Sequence, residues 1–200
     1  MKQVLILGAG ALGSNIAATL AVDLKNKAKV TVLDMDEVEE RNVRVGTQMY
    51  TRDQIGQRKV EALQYNIYKW SEIEIGIIDT FLSSENYIAT LSPWMTYDTF
   101  IIDCFDNHMA RSLVQKFAEE YGANVLHAGF SRDFTFAVEG ARGYKVPTDI
   151  TSGFDICEIG GAGGFVKMVA SAAASVALDY IMQGKERELL GNRFSVKEIK

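Results

Sequence analysis

The sequence predicts an α/β protein with a mostly parallel sheet flanked by helices and with antiparallel strands appended. Three observations predict it. The aliphatic run Val4-Leu5-Ile6-Leu7 reads as a strand buried on both faces. Gly8-Ala9-Gly10-Ala11-Leu12-Gly13-Ser14 follows at once, a Gly-x-Gly-x-x-Gly turn that opens a helix in the Rossmann manner. Val30-Thr31-Val32-Leu33 then reads as the second strand and ends on Asp34, about twenty residues beyond Gly13, where a ribose-binding acid is expected. A helix start of this kind suits phosphate, because its dipole and its unpaired N–H groups both favour an anion. A plain βαβ unit with a tight turn would share the glycines, but strand, glycines, helix and acid in this order point to a nucleotide.

The remaining elements follow from periodicity. Leu12, Ile16, Ala17, Leu20 and Ala21 keep helical spacing behind the glycines. Residues 35–58 show no clear period, and long connections inside compact domains are usually functional or hold short helices. A helix is predicted over 57–70, with Val60, Leu63, Ile67 and Tyr68 facing inward, then a strand over 73–78 and a helix over 83–91. Residues 99–103 form a buried strand that runs into the acidic turn Asp103-Cys104-Phe105-Asp106-Asn107. A helix over 108–121 presents Leu113, Val114 and Phe117 to the core, and a fifth strand covers 124–127. Strand-like content over 134–146, broken by Gly140 and Gly143, predicts the antiparallel additions. A polar, glycine-rich loop over 147–164 leads to an alanine-rich helix over 165–182, and the charged tail from Gly184 offers Phe194 and Val196 as last strand contacts.

Two hundred residues suit one domain, 1–200. A net charge of −5 argues against broad binding to nucleic acid or to a membrane surface. The N-terminal apolar run is too short for a signal peptide, so a cytoplasmic location is expected. The apolar stretch near 165–181 is broken by Lys167, Ser171, Ser175 and Asp179, which fits a buried helix. The only cysteines are Cys104 and Cys157, without a Cys-x-x-Cys, so no structural zinc is expected.

In a parallel sheet the carboxyl ends of the strands share one edge, where ligands bind. That edge collects Gly10, Asp34, Asp106 and Asn107, and the 35–58 connection can bring Arg44 and Lys59 to it. Phosphates call for cations, and a carboxylate such as Asp106 can hold Mg²⁺ across their oxygens. A nicotinamide-dependent oxidoreductase would use the same glycines and Asp34, yet leaves Asp106 and the long connection without a task. A nucleotide-binding module that has lost turnover is the third reading. Bland roles stand beside these: Asn107 as a helix cap, Lys59 as a solvated lysine, Arg111 as a structural anchor, and Cys104, His108 and His127 as packing or surface residues.

The order of these residues resembles the ThiF/MoeB/HesA family, related to the ubiquitin-activating enzymes. The resemblance rests on Gly8 to Ser14, on Asp34-Met35-Asp36-Glu37-Val38 with Asn42, on Ile55-Gly56-Gln57-Arg58-Lys59-Val60, and on Asp103 to Asn107 with Arg111, and it spans about residues 2–184. It implies adenylation of the C-terminal carboxylate of a small ubiquitin-like carrier ending in Gly-Gly, with ATP consumed and pyrophosphate released. Gly8, Gly10 and Gly13 would cradle phosphate, Asp34 would bind ribose, Asn42, Arg44, Lys59 and Asn107 would contact the nucleotide, and Asp106 would coordinate magnesium. The family's Asn-x-x-Arg-Gln run stands here as Asn42-Val43-Arg44-Val45-Gly46-Thr47-Gln48, with its arginine one place early. Cys157, on the polar loop before the alanine-rich helix, matches the position of a thioester- or persulfide-forming cysteine in some relatives, and is expected on a flexible loop. A homodimer is also implied.

Overall fold

A computed structural model describes residues 1–44, 46–148 and 156–200. The elements run β1 (Lys2–Leu7), α1 (Ala11–Asp23), β2 (Ala28–Asp34), α2 (Glu40–Arg44), α3 (Lys59–Ser71), β3 (Gly76–Asp79), α4 (Tyr87–Leu91), β4 (Thr99–Asp103), α5 (His108–Tyr121), β5 (Val125–Phe130), β6 (Thr135–Gly140), α6 (Ala162–Gln183), β7 (Leu189–Asn192) and β8 (Ser195–Glu198). One eight-stranded sheet has the order β3-β2-β1-β4-β5-β6-β7-β8. The pairs from β3 through β5 are parallel, and β6, β7 and β8 are added antiparallel.

β1 shows why its sequence is aliphatic throughout. Val4 and Ile6 point into the core shared with α1, α3 and α6, while Leu5 and Leu7 point into the opposite core with α4 and α5. All four are fully buried, as a central strand between two helical layers requires. The chain leaves β1 to build β2 and β3 on one side and returns to place β4 on the other, so a crevice opens where the order reverses.

α6 is long and apolar enough to cross a membrane by length and composition alone. Ala170, Ala173, Ala174 and Ala177 are instead buried in the core that also takes Ala17, Ala18 and Ala21 of α1, small side chains that let the two helices approach closely.

Several boundaries differ from expectation for identifiable reasons. Tyr68 is 55% exposed, not inward, because Val60, Leu63 and Ile67 already fill the buried face of α3. The third strand begins only at Gly76, opposite Thr31, where a Cβ would meet the Thr31 hydroxyl at 2.5 Å. α4 is short because Asn86 accepts from Ser83 N and donates to Phe81 O, bonds that compete with helix. α6 starts three residues early, behind Gly161 in the left-handed region. Phe194 tips the β7–β8 turn with its side chain 91% exposed and its N–H donating to Asn192 Oδ1 of β7, and Val196 on β8 is half-exposed.

Candidate functional site

The glycine turn is built by three separate constraints. Gly8 has φ +95°, a conformation open to glycine at little cost. Gly13 lies so close to β1 that a Cβ would sit 1.8 Å from Gly8 O. Gly10 faces open space, with nothing within 4 Å of a Cβ placed there, and it caps α1 without a side chain. The backbone at the start of α1 is therefore bare towards the crevice. Tyr50 Oη donates to Ala9 O at 2.6 Å and ties the turn from outside.

Asp34 ends β2 beside this turn. Its Oδ2 accepts from Ala9 N at 2.6 Å and its Oδ1 from Asp36 N at 2.8 Å. Burial raises its carboxyl above the ordinary value, and the Lys59 ammonium and the two N–H donors pull it back. Burial also pushes the Tyr50 phenol well up, reinforced by the charge of Asp34.

The aperiodic connection is ordered by its own backbone. Val38 N donates to Gln57 O, Gly56 N to Val38 O and Lys59 N to Asp36 O, so residues 36–38 and 56–59 form a short antiparallel ladder. This ladder seats Lys59 at the first position of α3, with 8% exposure and Nζ 2.9 Å from Asp36 Oδ2. A cation at a helix N-terminus opposes the dipole, and the acids beside it, Asp36 and Asp34, offset that cost. Asn42 is buried on α2 and accepts from Glu39 N.

A cavity of about 1170 Å³ occupies the crevice. Gly8, Gly10, Asp34, Asn42, Lys59, Asp106, Asn107 and Cys157 all line it. The structure thus gathers most of the residues singled out in the sequence, from six chain segments. Gly13 lies behind the lining as a packing glycine. Arg44 is the exception: it is exposed at the end of α2 and outside the lining, whereas Arg41, one turn earlier, lines the cavity. Arg41 carried no motif signal in the sequence.

Asp106 is exposed to the cavity and makes no ion pair among the described residues. Asn107 Oδ1 accepts from Ala110 N at 2.8 Å, so the residue caps α5 while also lining the cavity. A lone hard carboxylate facing phosphate-sized space suits Mg²⁺, which takes one or two protein carboxylates and completes its shell with phosphate oxygens and water. Among the described residues no group of three or more His, Cys, Asp or Glu side chains converges on one point.

Cys157 corrects the expectation of a flexible-loop thiol. It is 2% exposed in a 3-10 turn, Ile156–Glu158, and its Sγ accepts from Thr47 Oγ1 at 3.3 Å and Gln48 Nε2 at 3.0 Å. Thr47 O in turn accepts from Asn15 Nδ2 of α1, which holds the thiol over the first turns of that helix. The other end of the Gln48 carboxamide is buried without a hydrogen-bond partner among the described residues. Residues 149–155 of the predicted polar loop lie outside the described residues. Burial and the Asp103 charge push the Cys104 thiol far up, which disfavours its thiolate.

The fold and the crevice define a class: a Rossmann-like α/β protein with its cleft at the topological switch point. The chain belongs to the ThiF family, which it matches across residues 1–200. It is 37% identical over 113 residues to the adenylyltransferase and sulfurtransferase MOCS3 of Anopheles gambiae, a match covering 56% of this chain and 24% of that protein. Among solved structures, E. coli MccB with MccA-N7isoASN superposes with a TM-score of 0.76 at 16% identity, over 98% of this chain and 63% of MccB. PaaA superposes with a TM-score of 0.71 at 17% identity, over 100% of this chain and 73% of PaaA. The chain therefore spans about a quarter of its MOCS3 relative and under two thirds of MccB, and these structural likenesses establish the fold.

Proposed function

We propose that the chain is an ATP- and Mg²⁺-dependent adenylyltransferase. Its substrate is the C-terminal carboxylate of a small ubiquitin-like sulfur-carrier or modifier protein ending in Gly-Gly, and pyrophosphate is the leaving group. The observation that carries this reading is the convergence of a bare helix N-terminus, a buried lysine and a carboxylate without an ion pair among the described residues on one cavity. Membership of the ThiF family and likeness to a protein named an adenylyltransferase support it.

Triphosphate laid along the N-terminus of α1 meets backbone N–H groups that no side chain obstructs. Asp34 would meet the ribose, although its Oδ2 already braces the glycine turn at Ala9 N and its Oδ1 accepts from Asp36 N. Lys59 and Arg41 supply the fixed positive charge that attack at the α-phosphate demands, with Arg44 a turn away. Asp106 would hold magnesium against the phosphates, and the metal would supply further charge neutralisation. The substrate carboxylate attacks the α-phosphate and yields an acyl-adenylate.

Cys157 would carry a second step. Attack of its sulfur on the acyl carbonyl forms a thioester, releases AMP and gives the thiol proton to solvent. Its burial means that the Thr47 and Gln48 contacts must open first. The family resemblance also supports a homodimer, which molar mass by light scattering would test directly.

ATP–pyrophosphate exchange with candidate carriers is the test. Asp106→Ala is expected to abolish exchange, while Cys157→Ala keeps exchange and loses a thiol-sensitive carrier adduct. Tight NADH binding with no exchange for any carrier would overturn the reading in favour of an oxidoreductase.

A further inference from the structure

We propose that His127 is a positioning residue for this site, and that its ring donates hydrogen from both nitrogens to lock three parts of the cavity wall together. The positioning role rests on the adenylation reading; the state of the ring does not. His127 lies on β5, lines the cavity and is 1% exposed. Its Nδ1 is 2.7 Å from Asp103 Oδ2 and its Nε2 is 2.9 Å from Gln115 Oε1.

The acceptors on both sides are fixed by their own bonds. Gln115 Nε2 donates to Glu119 Oε1 at 2.7 Å and to Ala141 O at 3.0 Å, so its amide oxygen is the end that faces the ring. Asp103 accepts from Phe105 N at 3.0 Å, and Arg111 Nη1 lies 3.7 Å from its Oδ2, surroundings that suit a carboxylate. A ring with a single hydrogen would press a lone pair against an oxygen inside the core. Two ring hydrogens satisfy both contacts. The face of the ring is covered by Tyr144, stacked at 3.8 Å and 6°, a favourable seat for a cation on an aromatic ring.

Each partner belongs to a different piece of the cavity. Asp103 begins the turn that presents Asp106 and Asn107. Gln115 and Arg111 stand on α5, and Arg111 donates to Ala128 O and to Tyr144 Oη. Tyr144 opens the segment whose Lys145, Pro147 and Thr148 line the same cavity. His127 is thus the joint through which the turn carrying Asp106, the helix it caps and the 144–148 segment are held in one arrangement.

Two measurements decide the proposal. In protein labelled with ¹⁵N-histidine, both His127 ring nitrogens are expected to show a directly bonded hydrogen at neutral pH; one bare nitrogen would overturn the two-donor ring. His127→Phe keeps a ring against Tyr144 but removes both donors. It is expected to slow saturated ATP–pyrophosphate exchange about tenfold or more while the KM for ATP changes by less than about threefold, the pattern of lost positioning with binding retained. Adding Asp103→Asn, which removes the stranded carboxylate, should recover part of that loss. Exchange by His127→Phe at the parent rate would sink the positioning role. A parent protein without exchange would remove the adenylation reading and the positioning role with it, while the ring-nitrogen result would still stand on its own.

Discussion

Gly10 and Gly13 stand three residues apart and are glycine for opposite reasons. At Gly13 a methyl group would overlap the Gly8 carbonyl, a backbone atom that cannot rotate away. At Gly10 a methyl group would meet no protein atom and would project where a phosphate should lie. Gly13→Ala is therefore expected to lose about 3 kcal/mol of stability, at the upper end of overpacking costs. Gly10→Ala should melt within a degree or two of the parent, yet bind ATP several-fold more weakly. Thermal melts and ATP titration of the two variants check the contrast; equal melting temperatures would refute it. The sequence could disclose both glycines because their roles are local. Arg41 could not be told from Arg44 by such means. Both stand on a five-residue helix, too short for periodicity to assign either to the buried face. Tyr50 and Gln48 were invisible because their partners, Ala9 and Cys157, lie far away along the chain.

At the scale of elements, α5 was readable to the residue, because it carries its own start and stop. Asn107 caps it from an extended conformation and Gly122 ends it in the left-handed region. Asn107 also lines the cavity, and stability separates its two tasks. Asn107→Ala should cost about 1 kcal/mol by loss of the cap. The check is urea unfolding: the midpoint should fall with the slope unchanged, and an unmoved midpoint would show that the cap contributes nothing. α6 was harder to delimit. Its first turn, Ala162–Gly164, has no helical signature of its own, and it is helical because Ala162 and Phe165 are buried with the 3-10 turn that holds Cys157. That contact, together with Thr47 and Gln48, also turned a thiol expected on a loose loop into a buried one.

At the scale of the whole molecule, the cavity matters because its walls come from distant parts of one sheet. The glycine turn and Asp34 belong to the first βαβ unit, Asp106 to the turn after β4, and Phe136 and Leu190 to the antiparallel strands. A ligand that touches all of them binds only the folded chain, so it stabilises by mass action. At a free concentration about 100 times its Kd, the gain is about 2.7 kcal/mol. For a chain of this size that corresponds to a rise in Tm of roughly 5–10 °C. ATP with Mg²⁺ should produce this shift. ATP with EDTA should produce less, because Asp106 then faces triphosphate with no cation between two negative charges. In Asp106→Ala the difference between the Mg²⁺ and EDTA melts should shrink, since the carboxylate proposed to link metal to protein is gone. NADH would reach the glycine turn and Asp34 but brings no triphosphate for a metal to join to Asp106, so its shift at equal concentration should be the smallest. Scanning fluorimetry of the parent and the variant under these three conditions gives the order directly. A larger shift with NADH than with Mg²⁺–ATP would mean that the crevice is shaped for hydride transfer, and that the acid after β4 serves only to begin a helix.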